Sequence, residues 1–189
     1  MTKLDTIEQT LIRFFIHPLI KDETVNFKAH LKDAKQVLLL GFSGKTFKAH
    51  RSIIKAFTLL FPKASRTILI SDDDERSTKG KKVKKEQNVS IVTMELKRPH
   101  LWYLMRSELL KKMRDESYDV LLDLNPNFSS LGAYLCRTLH PPVRIGFMKP
   151  TGHRFYNVEY NGDPGGSFPD RLEGLFLFID YLLSSSAHK

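Results

Sequence analysis

A single cysteine, Cys136, in 189 residues leaves no internal disulfide and no multi-cysteine zinc site, which fits a reducing compartment and a buried structural thiol. Long apolar runs are also missing. The longest, Leu175 to Leu183, is far below the roughly 20 residues that span a bilayer. Asp5 and Glu8 interrupt the region where a signal peptide would need an unbroken apolar segment, so the expected location is the cytoplasm. Acid is in short supply: 21 Asp and Glu against 30 Lys and Arg give a formal charge of +9 and a pI near 9.6. That excess favours contact with anions, whether nucleic acid, anionic lipid at a membrane surface, or phosphorylated ligands.

Several catalytic patterns are absent. The seven histidines carry no metal-ligand spacing, and no Ser-His-Asp order or nucleophile elbow is visible. Four consecutive carboxylates, Asp72 to Glu75, cannot all converge on one ion. Gly44-Lys45-Thr46 follows an apolar run, as a phosphate-binding loop would, but the glycine needed five positions earlier is Leu39. The G-x-G-x-x-G spacing of a dinucleotide fingerprint is missing too. The sequence thus offers no catalytic residue, no metal site and no cofactor. Gly44, Lys45 and Thr46 still occupy a strand-to-helix turn, where free amides and the helix dipole can hold an anion. The alternative is a plain tight turn.

What the chain does have is alternation of strand and helix signals. Asp5 and Glu8 form a capping box, and Leu4, Ile7, Leu11, Phe14 and Phe15 give one apolar helical face ending near Pro18. A short helix is expected around Phe27 to Ala34. Strands are predicted at Gln36–Phe42, Arg66–Ser71, Asn88–Met94, Tyr118–Asn125 and Val143–Phe147, with a short one near Phe155–Tyr160. Between them fall helices around Ile53–Phe61, after Pro99 and around Asn127–Leu139, and a last helix runs from about Pro169 to Leu183. These elements predict an N-terminal helical segment over 1–35, followed by one α/β domain over 36–184. That domain is Rossmann-like, a mostly parallel sheet with helices on both faces.

In such a sheet ligands bind at the carboxyl ends of the strands. The stretch DLNPNFSS places Asn125, Asn127, Ser129 and Ser130 there, a set of neutral hydrogen-bonding groups suited to hydroxyls or phosphates, and Lys149 follows the fifth strand at the same end. A helix capped after a proline turn explains most of the same residues. The run Asp72–Glu86 sets an acidic tetrad against six basic residues, and is expected to be a solvated, mobile loop over 72–87. Its Lys79, Lys81, Lys82, Lys84 and Lys85 make a candidate anion-binding patch. The last helix carries Phe178 and Tyr181 outside its apolar face, a candidate surface for a protein partner or a second copy.

The run YDVLLDLNPNFSSLGAYLCRTLHPPVRIGF, Tyr118 to Phe147, resembles the N-terminal half of the heptosyltransferase family, the ADP-heptose transferases of lipopolysaccharide core assembly. The shared features are Tyr-Asp, an apolar strand ending Asp-Leu, a serine-bearing helix start and an Arg-Ile-Gly-Phe strand. KQVLLLGFSGKTFKAHRSIIKAFTLLFPKA is similar to that family's opening strand, glycine turn and helix ending Phe-Pro. The resemblance implies half of a GT-B fold. It also places Lys45 where the family carries its proposed catalytic aspartate, and a cation cannot accept a proton from an acceptor hydroxyl. The family's second domain, which supplies most nucleotide-sugar contacts, has no counterpart in these 189 residues.

The expected function is therefore an acceptor-side binding or assembly module that is not catalytic alone and takes a sugar or phosphate ligand. Two alternatives stand beside it. One is the acceptor-binding half of a split glycosyltransferase completed by a partner chain, and the other is a basic protein that binds nucleic acid or a membrane surface peripherally.

Overall fold

A strand turns successive side chains to opposite faces, so a strand apolar at every position must be buried on both. Gln36–Leu40 (β1) does this: Val37 and Leu39 enter one core, Leu38 and Leu40 the other. Val120–Asp123 (β5) and Val143–Phe147 (β6) are likewise buried throughout. The computed structural model describes residues 26–41, 51–72, 84–86, 89–95, 107–127, 129–149, 155–162 and 165–184. With Ser65–Asp72 (β2), Lys84–Glu86 (β3), Val89–Glu95 (β4) and Val158–Tyr160 (β7), these strands form one sheet in the order β3-β4-β2-β1-β5-β6-β7.

Every neighbouring pair is parallel except β3 with β4. Numbered by its six parallel strands alone, the sheet reads 3-2-1-4-5-6, the doubly wound order. The order reverses between β1 and β5, which pair from Val37–Val120 to Leu40–Asp123. The charged stretch is shorter than the sequence suggests. β2 continues to Asp72, and Lys84–Glu86 pairs antiparallel with β4 as an edge strand, so only the part between them remains as connection.

Helices cover both faces. Phe27–Lys32 (α1), Arg51–Leu60 (α2) and Phe168–Ser184 (α5) pack on one side, and Ser107–Asp115 (α3) and Ser130–Leu139 (α4) on the other. α1 begins at Asn26, whose side chain accepts the Ala29 N–H at 3.2 Å. Leu31 and Ala34 join the same core as β1, so α1 is packed within the domain rather than beside it. In α2, Phe57 and Phe61 meet edge to face with centroids 5.9 Å apart. The Arg66 guanidinium then donates to the Thr58 and Phe61 carbonyls, satisfying acceptors at the helix's carboxyl end.

The last helix differs in one respect from its sequence reading. Phe178, expected to lie outside the packed face, is half-buried with its ring 5.6 Å from Tyr160. The exposed apolar side chains of α5 are Leu177 and Tyr181. The helix expected over 5–16, the turn at 42–50, the charged residues 73–83 and the start of the helix after Pro99 lie outside the described residues. Among the described residues no helix is long and apolar enough to cross a membrane.

Phe57 is fully buried between α2 and the sheet, whereas Lys55 on the same helix faces water. In urea unfolding, Phe57→Ala is expected to remove about 3–5 kcal/mol. Lys55→Ala should stay within about 0.5 kcal/mol of the parent chain.

Candidate functional site

The crevice of a doubly wound sheet opens where the strand order reverses, beyond the carboxyl ends of β1 and β5. Gly41 leaves β1 with its N–H bonded to the Leu69 carbonyl at 2.8 Å, and Leu124 leaves β5 bonded to the Leu40 carbonyl at 3.1 Å. Below that rim sits Asp123. Period-two alternation turns it, with Leu121, toward α3 and α4, where it has no exposure to solvent. A buried carboxylate is tolerated only when paired and hydrogen-bonded, and Asp123 is both.

Oδ1 of Asp123 accepts the Asn125 backbone N–H at 3.0 Å and the Asn125 side-chain amide. Oδ2 accepts the Lys149 ammonium at 3.0 Å and the Tyr156 hydroxyl. The ammonium is as deeply enclosed as the carboxylate, at 1% and 0% exposure, and stands 4.8 Å from the centre of the Tyr156 ring. Lys149 is thus a counter-ion held inside the fold, and its charge is not presented to an open cleft.

Two glycines make room for this cluster. A Cβ on Gly132 in α4 would fall 2.6 Å from Asp123 Oδ2 and 2.8 Å from the Tyr156 hydroxyl. On Gly146 of β6 it would meet the Tyr156 ring at 3.0–3.2 Å. The absence of a side chain at each position lets α4 settle on the carboxylate and the tyrosine cross β6. Tyr156 is aimed by its neighbours in sequence. Arg144 Nε donates to the Phe155 carbonyl at 2.9 Å, and Arg144 Nη1 to the Pro141 carbonyl at 3.0 Å. Asn157 accepts the Arg144 N–H at 2.8 Å and donates to the Pro142 carbonyl at 2.8 Å.

The other predicted residues divide into groups. Ser129 caps α4, its hydroxyl accepting the Gly132 N–H at 3.0 Å, so the capping reading describes it. Asn125 bends back onto Asp123, and Asn127 is exposed at the rim. Ser130 is the first residue of α4. Gly44, Lys45 and Thr46 lie outside the described residues, as do Lys79, Lys81 and Lys82. Lys84 and Lys85 belong to β3, three strands from β1, or about 14 Å at ordinary strand spacing. Lys84 and Lys85 therefore lie apart from the strand ends of β1 and β5.

Sequence reasoning missed Tyr156, Arg144 and Asn157. The available signal was the density of hydrogen-bonding residues immediately after the fifth strand, which read as loop composition. No group of His, Cys, Asp or Glu among the described residues could hold a metal ion.

Three buried groups keep their protons. Burial and then the Asp123 charge push both Tyr156 and the Cys136 thiol upward, and burial with the Glu116 bond does the same for Tyr118. Each native group holds a proton that the unfolded chain releases above its ordinary pKa, about 8.5 for cysteine and about 10 for tyrosine. Their stabilising contribution is complete below those values and falls as pH rises through and beyond them. Alkaline titration should therefore show tyrosinate signals from Tyr118 and Tyr156, resolved by Tyr→Phe variants at each, appearing only together with loss of helical ellipticity. Lys149→Met should cost about 3–5 kcal/mol in urea unfolding because it strands the carboxylate. Adding Asp123→Asn to that variant should recover part of the loss.

No family model and no curated protein matches the chain. Two solved structures share its fold. The E. coli heptosyltransferase WaaC with ADP superposes with a TM-score of 0.56 at 16% identity, over 80% of this chain and 48% of that one. The glycosyl transferase family 9 protein from Veillonella parvula DSM 2008 gives 0.55 at 13% identity, over 84% and 44%. The chain spans less than half the length of either structure, and at these identities the likeness is one of fold. The architecture, a Rossmann-like sheet wrapped by helices, is the fold shared with part of the heptosyltransferase and of the glycosyl transferase family 9 protein.

Proposed function

We propose that this chain is an acceptor-side, heptosyltransferase-like binding module that takes a sugar or phosphate-bearing ligand at the rim above β1 and β5 and does not transfer sugar on its own. The observation that carries the reading is the state of Asp123. It is the buried carboxylate at the strand end beside the crevice, and both its oxygens are taken by Asn125, Lys149 and Tyr156. A general base needs a carboxylate within hydrogen-bond reach of the substrate proton, and this one faces inward. The residue that the resemblance aligns with the family's catalytic acid is Lys45, whose ammonium has no lone pair to offer.

The rim suits a hydroxyl-rich ligand. Asn127 is exposed there, and α4 begins directly behind it with Ser129 at its cap. Fixed backbone reduces the ordering cost of binding, and the Asp123 cluster holds the turn at Asn125, two residues before Asn127. A complementary chain carrying donor contacts would complete such a module.

In a thermal-shift screen of phosphorylated sugars, a ligand present at a hundred times its Kd should add about 2.7 kcal/mol of stability. Asn127→Ala should weaken that shift without lowering the Tm of the free protein. Incubated alone with ADP-heptose and an acceptor, neither the parent chain nor Lys45→Asp should yield transfer. Product formed by the parent chain in the absence of any partner would overturn the proposal.

A further inference from the structure

Helices α2 and α5 run beside each other on the α1 face, and the seam between them is an apolar groove of about 630 Å³. Ile53, Ala56 and Leu60 form one wall, and Leu172 and Phe176 the other. At its lips Leu59 and Leu177 stand 69% and 64% exposed, while Ser52, Glu173 and Asp180 give the rim its polar atoms. This groove is on a helical layer, away from the strand-end crevice, and the proposed ligand reading makes no use of it. A continuous apolar lining with open lips marks a docking surface.

The sequence contains a segment of matching character that leads into α1, on the same face of the sheet as the groove. The described chain begins at Asn26, the cap of α1, and α1 packs against α5, a wall of the groove. The residues that precede it carry Leu4, Ile7, Leu11, Phe14 and Phe15 at helical spacing, a single apolar face. A helix over 5–16 would be about 18 Å long, against about 15 Å for the ten residues of α2. Residues 17–25 can span up to about 30 Å, against about 8–10 Å between the axes of packed helices such as α1 and α5.

We infer that the N-terminal segment, residues 4–15, docks its apolar face into the groove between α2 and α5 of the same chain. Covalent tethering favours this occupant over a second copy. A linker of nine residues holds the segment at an effective concentration on the order of millimolar, while a second molecule must lose its translational freedom from dilute solution. Docking there also covers Leu59 and Leu177, which otherwise offer an apolar strip to any other molecule.

Amide hydrogen exchange on the full chain tests this. Residues 7–16 should be protected, and the double variant Leu59→Glu with Leu177→Glu should raise their exchange at least tenfold. Amides of β1 and β5 should remain as slow as in the parent chain, which reports that the fold is intact. A second reading avoids charge: a spin label on Leu177→Cys should broaden the Ile7 and Leu11 resonances, native Cys136 being too buried to take the label. Exchange of residues 7–16 at unprotected-peptide rates in the parent chain would overturn the inference. So would a concentration-dependent dimer in light scattering that Leu177→Glu dissolves while the segment stays unprotected, because the occupant would then be a second copy.

Discussion

A carboxylate without water must be surrounded by donors, and the requirement that Asp123 be satisfied organises the functional end of this fold. Its four donors come from three places: the turn after β5, the residue two past β6, and the segment leading to β7. The first two leave the carboxyl edge of the sheet and the third enters β7 at its amino end, and each would otherwise be free to choose its path. Removing one partner leaves an uncompensated charge in the core, so the arrangement is held by a large penalty against its alternatives. The Lys149–Asp123 pair is better understood as specifying where those loops lie than as adding stability over an apolar core.

The same short strand carries a second acid with the opposite assignment. Asp119, at the amino end of β5, accepts the backbone N–H groups of Lys35 and Gln36 at 2.8 and 2.9 Å and so joins the start of β1 to the start of β5. Tyr118 beside it fills the core on the α3–α4 face. The Tyr-Asp pair therefore serves the amino end of the switch, and Asp123 the carboxyl end. The two central strands are tied at both extremities, at the amino end through Asp119 and at the carboxyl end through the Leu124 N–H bond to Leu40.

Much of this architecture was legible in sequence. The apolar runs at 37–40 and 120–122 could only be buried strands, and helices at 3.6 spacing between the strands required parallel crossovers. The cap at Ser129 was legible because a serine before an apolar helical run has few other uses. Less could be read of the crevice. Asn125 looked like a ligand group, and only the fold shows it turned onto Asp123. Lys149 looked like an available cation for the same reason, since its partner lies 26 residues away. Phe178 read as surplus apolar surface because Tyr160, the ring that covers it, arrives from a different element.

By itself the sequence determined the alternation of strands and helices and the parallel sheet they build. Those properties follow from local periodicity and from chain connectivity, both of which are linear. The tertiary structure alone decided which polar groups at the carboxyl end of the sheet face outward and which are spent on one another. Buried Asp123, Lys149 and Tyr156 are brought together by strand registry and by the missing side chains of Gly132 and Gly146. Distance through space settles the fate of a charge, and the spacing of residues along a chain does not encode it.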